Sequence, residues 1–323
     1  MEKTTDEIER RWITYGLKRG DFYGPGTHIT QGYLDEEDGS EHRIRIEDDT
    51  KAILGRKTGV GIERIQTEEE IGLAKAREIL ARCHSKLRKR RFVRDGWEVD
   101  FHEHSELIVA EKEMVSRFEP VVLPPWIKHA IEVTDWLSNA DLAELWHGNL
   151  FFEDNRPRER LLRVILAGQN QTRLETLIRL QKEFPTALVV PELTAHYHDQ
   201  HRQAFIQLAE ERARKLGSTF LIASGDFGGL SSLVTPFPGD QKENPIQAVE
   251  ENPALILLLD DHARNDLVHA KKDEELPAGY IAMAQRAAQC IYDFKEAMTS
   301  EMTMWALREM IRFFRGQDVR KPF

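Results

Sequence analysis

Charged residues occur in pairs separated by a single residue along the first half of the chain. Carboxylate pairs supply the oxygen ligands that Mg²⁺ and Mn²⁺ prefer, and pairs of arginine or lysine suit the oxygens of phosphate groups. Together they predict a site for a divalent metal and a polyphosphate. The pairs are Glu7/Glu9, Arg43/Arg45, Gln66/Glu68, Lys89/Arg91, Glu98/Asp100 and Glu111/Glu113.

β-Strands are the elements that must position these pairs, because residues i and i+2 of a strand point to the same side. The residues between them are often apolar, as at Ile8, Ile44 and Val99, which favours an outer core on the opposite side. One interpretation is the solvated face of an ordinary antiparallel sheet. The number of pairs favours a closed barrel in which acidic and basic pairs surround one cavity.

The two halves of the chain have different hydrophobic patterns. The first half has short alternating segments and one helix, predicted from Glu69 to about Ser85. The second half has continuous apolar runs separated by longer helical patterns, which is typical of a parallel sheet covered on both faces. These runs begin at Leu162, Ala187, Thr219 and Ala254. Breakers at Gly148 and Pro157 separate the halves, so we predict a β-rich domain followed by an α/β domain.

The overall composition narrows the classes of function. The chain has 323 residues, and 45 basic against 55 acidic residues give a net charge of −10. This balance disfavours a protein that binds nucleic acid through a basic face. The basic run from 82 to 94 does not form a single basic face, because strand alternation puts Lys89 and Arg91 on one face and Arg88 and Arg90 on the other. Binding of nucleic acid therefore remains disfavoured. No apolar run approaches the ~20 residues of a membrane span. The N-terminus has no signal-peptide pattern, so we expect a cytoplasmic protein without a membrane partner.

The order of the motifs resembles the CYTH superfamily, the triphosphate tunnel metalloenzymes, over residues 1 to about 147. Glu7-Ile-Glu9-Arg-Arg11 is similar to the family signature E-x-E-x-K. Lys89-Arg-Arg91-Phe92 is similar to the K-T-R-Y motif of the family. Further motifs follow in family order at 28–34, 43–45, 56–59, 64–68, 97–100, 110–113 and 123–143.

This resemblance implies an eight-stranded antiparallel β-tunnel over residues 1–150. It implies hydrolysis of inorganic tripolyphosphate or of a nucleoside or thiamine triphosphate, although some members are adenylyl cyclases. The implied ligands of Mg²⁺ or Mn²⁺ are Glu7, Glu9, Glu111 and Glu113. The implied substrate-binding residues are Arg11, Arg43, Arg45, Lys57, Arg64 and Arg91. Lys89 matches a lysine that activates the attacking water, which requires a pKa lowered by neighbouring cations; Glu7 and Glu9 complete the predicted catalytic set.

Four residues depart from the family pattern. Arg11 replaces the signature lysine, and Gln66 stands where an acidic residue is usual. Trp136 replaces an arginine and Ala140 replaces a lysine. These changes weaken expected contacts to phosphate but leave the four carboxylates in place. The alternative hypothesis is therefore a regulatory module that binds a polyphosphate or a nucleotide with little turnover.

Residues 158–323 resemble a degenerate P-loop NTPase of the kinase-like kind. A phosphate loop with the pattern G-x-x-x-x-G-K-[ST] is expected to begin at Gly168. Arg173, Leu174 and Glu175 occupy the positions of its second glycine, its lysine and its hydroxyl residue. We therefore predict a pseudo-NTPase domain, with Arg173 in place of the lysine as the active alternative. An apolar helix face within 304–314 is expected to dock on its own domain or else to form a homodimer.

Overall fold

The computed structural model of the chain describes twelve stretches of the sequence. They are residues 3–34, 40–59, 62–105, 107–148, 162–167, 170–185, 187–191, 193, 199–218, 220–224, 254–258 and 291–293. The chain divides into two compact units. The first comprises Met1–Asp154 and Leu193–Leu208, and the second comprises Asn155–Glu192 and Ala209–Phe323. Across the described residues, no helix combines the length and the apolar character needed to cross a membrane.

The first unit contains a nine-stranded sheet that closes on itself, with the order β5-β4-β3-β2-β6-β7-β8-β1-β9. Its strands are β1 (Lys3–Tyr15), β2 (Thr27–Leu34), β3 (Glu41–Glu47), β4 (Lys51–Thr58), β5 (Glu63–Glu70), β6 (Ser85–Arg94), β7 (Trp97–His102), β8 (Ile108–Glu113) and β9 (His129–Glu132). The long strand β1 closes the ring, because it pairs antiparallel with β5 through Lys3–Ile8 and with β8 through Glu9–Thr14. The predicted eight-stranded antiparallel barrel is therefore confirmed, and β9 pairs with the end of β1 as a ninth strand.

The outward side of the barrel carries the hydrophobic core. One cluster surrounds Trp12, Phe92, Trp97 and Val99. A second contains Ile44 and packs the barrel against helix α1 (Leu73–Arg82). Because successive side chains of a strand point to opposite faces, the residues adjacent in sequence to these apolar residues point into the barrel.

Helix α1 is shorter than the predicted helix from Glu69 to about Ser85. Glu69 and Glu70 instead extend β5, where they pair with Leu54 and Ile53 of β4, and Ser85 begins β6. Glutamate favours helix in isolation, but the backbone hydrogen bonds of the ladder outweigh that weak preference. The extended conformation of Gly72 then separates the strand from the helix.

Helix α2 (Asn139–His147) covers one side of the barrel interior. Ser138 caps its first turn by accepting a hydrogen bond from the Asp141 amide, and Gly148 ends it in the left-handed conformation. Its Ala143 packs against Tyr33 and Leu87, which lie on the inward faces of β2 and β6. The capping signals therefore fix a helix whose small residues can approach the tunnel wall closely.

The second unit contains a five-stranded parallel sheet with the order β11-β12-β10-β13-β14. Its strands are β10 (Leu162–Ala167), β11 (Leu188–Val190), β12 (Phe220–Ser224), β13 (Ala254–Leu258) and β14 (Ile291–Asp293). The helices described with them are α3 (Asn170–Glu183) and α4 (Asp199–Lys215), although α4 belongs to the first unit as far as Leu208. The predicted terminal helix face within 304–314 lies outside the described residues. The likeness to a P-loop NTPase stays a prediction.

Candidate active site in the barrel interior

The barrel interior brings together charged residues that are far apart in sequence. The alternation that buries Trp97, Val99 and Phe101 outside turns Glu98 and Asp100 inward. The same rule applies to each predicted pair, and the inward side chains other than that of Glu113 meet across the ring. The charged residues that make interior contacts are Glu7, Glu9, Arg11, Arg43, Arg45, Lys57, Glu68, Lys89, Arg91, Glu98, Asp100 and Glu111.

Arg11 joins two of the predicted metal ligands. Its Nη2 donates to Glu9 Oε1 at 2.6 Å, and its Nε donates to Glu111 Oε1 at 2.7 Å. A third bond runs from Nη1 to the carbonyl oxygen of Leu137 at 2.9 Å. The residue is only 3% exposed. Arg11, predicted to bind substrate, thus donates to three protein groups.

The two carboxylates that Arg11 joins have opposite pKa shifts. Burial and the neighbouring Glu111 raise the pKa of Glu9, although Arg11 opposes them. Burial also raises the pKa of Glu111, but Arg11, Lys89 and Arg91 outweigh it and hold that pKa well below its usual value. Glu111 is therefore the firmly ionised carboxylate of this part of the wall.

Lys57 and Glu7 form a second interior pair. The Lys57 Nζ lies 2.8 Å from Glu7 Oε1 and 2.7 Å from Oε2. Burial and the nearby Arg43 lower the pKa of Lys57. Arg64 lies directly opposite Glu7 in the register of β1 and β5 and is half-buried. Lys57 and Arg64, both predicted to bind phosphate, therefore lie beside Glu7, a predicted metal ligand.

The fourth predicted metal ligand stands apart from the other three. Glu113 ends β8 directly opposite Glu9, and its side chain is exposed. Within the described stretches, no three His, Cys, Asp or Glu side chains are gathered closely enough to hold a metal ion. Glu7, Glu9 and Glu111 contact Lys57 and Arg11 of the protein instead.

Lys89 and Arg91 share Asp100 on the facing strand. Lys89 is 1% exposed, and its Nζ donates to Asp100 Oδ2 at 2.5 Å. Arg91 donates to both oxygens of Asp100, at 2.7 and 2.6 Å, and to Glu111 at 2.9 Å. Arg91 also bonds Glu98.

This cluster shifts the pKa of each partner. Burial raises the pKa of Asp100, but Arg91 and Lys89 outweigh it and lower that pKa to about 2. The pKa of Lys89 is lowered, chiefly by burial and also by Arg91, against the pull of Asp100. A lower pKa makes the neutral amine, the form that can accept a proton, easier to reach.

Arg43 and Arg45 occupy the wall formed by β3. Both donate to Glu68 Oε1, at 3.2 and 3.4 Å. Arg43 also donates to Gln66 Oε1 at 3.2 Å. Gln66, which departs from the expected acidic residue, therefore accepts a hydrogen bond without adding negative charge. These guanidinium groups complete a basic wall suited to phosphate oxygens.

Tyr33, Asn139 and His102 are interior residues that belong neither to the predicted pairs nor to the predicted site residues. Tyr33 accepts a hydrogen bond from Gln31 at 2.6 Å, and burial raises the pKa of its hydroxyl. Asn139 donates to Glu111 at 3.0 Å, while its Oδ1 is buried without a partner. His102 continues the inward face of Glu98 and Asp100. Extending the alternation by one more step would have found His102, whereas Asn139 reaches the site only through the packing of α2.

The two remaining departures have structural roles. Trp136 is buried and packs against Phe205 at 5.4 Å between ring centroids, inside the first unit. Ala140 packs at the edge of the cluster formed by Tyr33, Leu87 and Ala143. At both positions the chain has apolar contacts where the family pattern has a cation.

The donor set suits a hard divalent cation. Glu7, Glu9 and Glu111 present carboxylate oxygens, and the unpartnered Asn139 Oδ1 adds an amide oxygen beside Glu111. Oxygen ligands of this kind match Mg²⁺ or Mn²⁺. A metal and a polyphosphate together would exchange the internal ion pairs for new ones, with cations moving to phosphate and carboxylates to the metal.

Comparison with known proteins identifies relatives of the first unit. No protein-family model matches the chain. A curated inorganic triphosphatase from Acetivibrio thermocellus is 30% identical over 149 residues, which cover 43% of this chain and 93% of the relative. The solved structure of the inorganic triphosphatase NE1496 is 25% identical, with 42% of this chain and 97% of that chain covered and a TM-score of 0.32. A putative adenylyl cyclase from Hippeastrum, described as having a dominant triphosphatase activity, is 16% identical over 34% of this chain and 80% of its own, with a TM-score of 0.26. Through the barrel of its first unit, the chain belongs to the inorganic triphosphatase family of CYTH-type tunnel proteins.

Proposed function

We propose that the barrel hydrolyses a triphosphate, either inorganic tripolyphosphate or a nucleoside or thiamine triphosphate, with the help of Mg²⁺ or Mn²⁺. The observation that carries this proposal is the buried contact of carboxylates with cations inside one closed barrel, as in Glu9–Arg11–Glu111. Ionised groups are rarely buried without a function or a partner. The similarity to a curated inorganic triphosphatase over nearly its whole length supports the same activity.

In this proposal the carboxylates bind the metal and the basic residues bind the phosphate groups. Glu7, Glu9 and Glu111, with Glu113 at the strand end, would hold the divalent ion, which supplies positive charge to the phosphate oxygens. Arg43, Arg45, Lys57, Arg64, Arg91 and Arg11 would bind the remaining oxygens. On binding a phosphate group, each of these cations that is paired with a carboxylate would exchange that carboxylate for phosphate, so that no buried charge is left unpaired.

Lys89 is the group proposed to move the proton. In its neutral form, which burial favours, the Lys89 amine accepts a proton from water whose oxygen attacks the terminal phosphorus. The bond to the bridging oxygen breaks, so tripolyphosphate and water give orthophosphate and diphosphate. Asp100, 2.5 Å from the Lys89 Nζ, holds the amine in place.

Phosphate release by the full chain tests this proposal directly. Tripolyphosphate, ATP and thiamine triphosphate would each be supplied with Mg²⁺ or Mn²⁺. We expect turnover of at least one substrate, and a loss of about 100-fold or more in Glu9→Gln, because the amide removes a charge that faces the metal. Glu69→Gln is the matched control, since Glu69 is exposed at the end of β5. Absence of turnover by the unmodified protein with all three substrates would contradict the proposal.

A binding module is the second candidate. The contact of Arg43 with the neutral Gln66 and the replacement of an expected arginine by the buried Trp136 favour it, because both reduce the charge available to a transition state. Calorimetric binding of tripolyphosphate without phosphate release would support this candidate. Release of diphosphate together with a cyclic nucleotide from ATP would instead indicate cyclase chemistry.

For the second unit we infer a P-loop-like domain that has lost nucleotide binding. Strand β10 ends at Ala167 and helix α3 begins at Asn170, so the segment that carries Arg173 and Glu175 is helical. A phosphate loop needs several residues between strand and helix. We expect ATP to bind the full chain only through the barrel. A second ATP site that survives Arg43→Ala, measured by calorimetry, would contradict this inference.

A further inference from the structure

His102 ends strand β7 on the inward face of the barrel. The residues that alternate with it, Val99 and Phe101, belong to the outer core, while Asp100 contacts Lys89 inside. His102 lies directly opposite Lys89 in the register of β6 and β7. Directly opposed residues of an antiparallel pair have Cβ atoms about 5 Å apart. The imidazole is therefore a neighbour of the proposed proton acceptor.

The ring nitrogen Nε2 of His102 is buried without a hydrogen-bond partner, and the residue is 6% exposed. Buried polar atoms are nearly always partnered, so an exception on a site wall calls for an explanation. Burial and Lys89 lower the pKa of the ring to about 4, which keeps it neutral near pH 7. A neutral imidazole has one N–H to offer and adds no charge beside Lys89.

His102 also differs from the interior cations because its Nε2 atom has no existing hydrogen bond that must break before an anion binds. Arg11, Arg91 and Lys57 each contact a carboxylate that has to be released before they can bind an anion. The Nε2 atom of His102 has no such contact to lose. A hydrogen bond to a ligand at this atom is therefore a net gain for the complex.

We propose that Nε2 of His102 is a binding contact for a phosphoryl oxygen held beside Lys89. This proposal rests on the proposed function, because it takes the bound anion to be a triphosphate. The nitrogen is buried, so an anion reaches it only by displacing a side chain that covers it. The proposal takes the tautomer with its proton on Nε2, whose neutral N–H binds an oxygen without the additional cation that a further arginine would place next to the proton acceptor.

Three variants of the full chain test the proposal. His102→Phe keeps a ring and removes the donor, His102→Gln offers an amide N–H of similar reach, and His104→Phe is the matched control. His104 follows β7 and stacks on Trp146 at 5.4 Å, a contact that phenylalanine can keep. The readouts are KM and kcat with tripolyphosphate and Mg²⁺ or Mn²⁺, and the Kd of tripolyphosphate by calorimetry in the presence of a chelator. Thermal unfolding confirms that each variant is folded.

In His102→Phe we expect KM and Kd to rise about tenfold or more, as for the loss of one hydrogen bond to a charged group. We expect His102→Gln to recover most of that loss and His104→Phe to equal the unmodified protein. An unchanged Kd in His102→Phe, or a weakening that His102→Gln does not reverse, would overturn the proposal. If the unmodified protein binds tripolyphosphate but releases no phosphate, the proposed hydrolysis fails while the ratio of Kd values still decides the role of His102.

Discussion

Among the single residues, Lys89 is the side chain on which we expect turnover to depend. It is buried, it contacts Asp100, and burial lowers its pKa. In Lys89→Met we expect kcat for tripolyphosphate to fall about 100-fold to 10,000-fold, the usual contribution of general base catalysis. Lys86→Met is the control, because Lys86 lies on the other face of β6. A variant without Lys89 that keeps more than a tenth of the normal kcat would assign the proton transfer to another group.

Arg11 offers a test of the metal ligands that needs no substrate. Arg11→Met leaves Glu9 and Glu111 buried without their shared cation, which costs about 3–5 kcal/mol of the free energy of unfolding. We expect Mn²⁺ to raise the thermal midpoint of this variant more than that of the unmodified protein, since a metal can replace the lost charge. Arg10→Met, which breaks the partly exposed pair with Glu132, serves as the control. Equal stabilisation of both variants by Mn²⁺ would place the metal elsewhere.

The neutral state of His102 makes stability depend on pH. The pKa of His102 is about 4 in the folded protein against 6.5 in the unfolded chain, so between these values the unfolded chain binds more protons. This contribution is fully present above pH 6.5 and is lost as the pH falls toward 4, by about 3 kcal/mol in total. Denaturant unfolding at pH 7 and pH 4.5 should show a smaller pH-dependent loss in His102→Phe than in the unmodified protein. Parallel curves would show that the imidazole is not held neutral.

At the scale of elements, Gly32 lets helix α1 pack closely on β2. A Cβ at this position would lie 2.7 Å from both Cys83 Sγ and Leu80 Cδ1. Gly32→Ala should therefore lower the free energy of unfolding by about 1–3 kcal/mol, as overpacking does in other cores. Gly72→Ala is the matched control, since a Cβ there meets nothing within 4 Å. Denaturant unfolding measures both variants, and a stable Gly32→Ala protein would mean that α1 can shift at little cost.

In the whole molecule, the first unit is formed by two separate stretches of the sequence, and Asn155–Glu192 of the second unit lies between them along the chain. Phe205, 1% exposed, packs against Trp136, and Leu193–Leu208 belongs to the same unit as the barrel. Phe205→Ala in the full chain should reduce the stability of the first unit by about 3–5 kcal/mol. Phe118→Ala, at a residue 85% exposed, should change it little. Tryptophan fluorescence during unfolding reports the difference, and equal midpoints would remove Phe205 from the core of the barrel unit.

The two-residue repeat of a strand was sufficient to predict which side of the sheet the charged pairs face, because every predicted pair lies on a strand. The same pattern, together with the ordered motifs, was enough for the eight-stranded antiparallel barrel. It could not give the helix boundary at Leu73, since the pairing of Glu69 and Glu70 with β4 is a contact between strands rather than a local preference.

The partners of the interior charges, in contrast, follow from the closed barrel and not from local sequence. Arg11 reaches Glu111 across 100 residues and Lys57 reaches Glu7 across 50, and strand register alone sets such partners. The tertiary structure also decided that Arg11 joins two carboxylates, that Asn139 reaches the site from α2, and that His102 keeps an unpartnered nitrogen beside Lys89. Alternation fixes the side of a strand on which a residue lies, but hydrogen bonds and pKa shifts depend on distances that only the closed barrel defines.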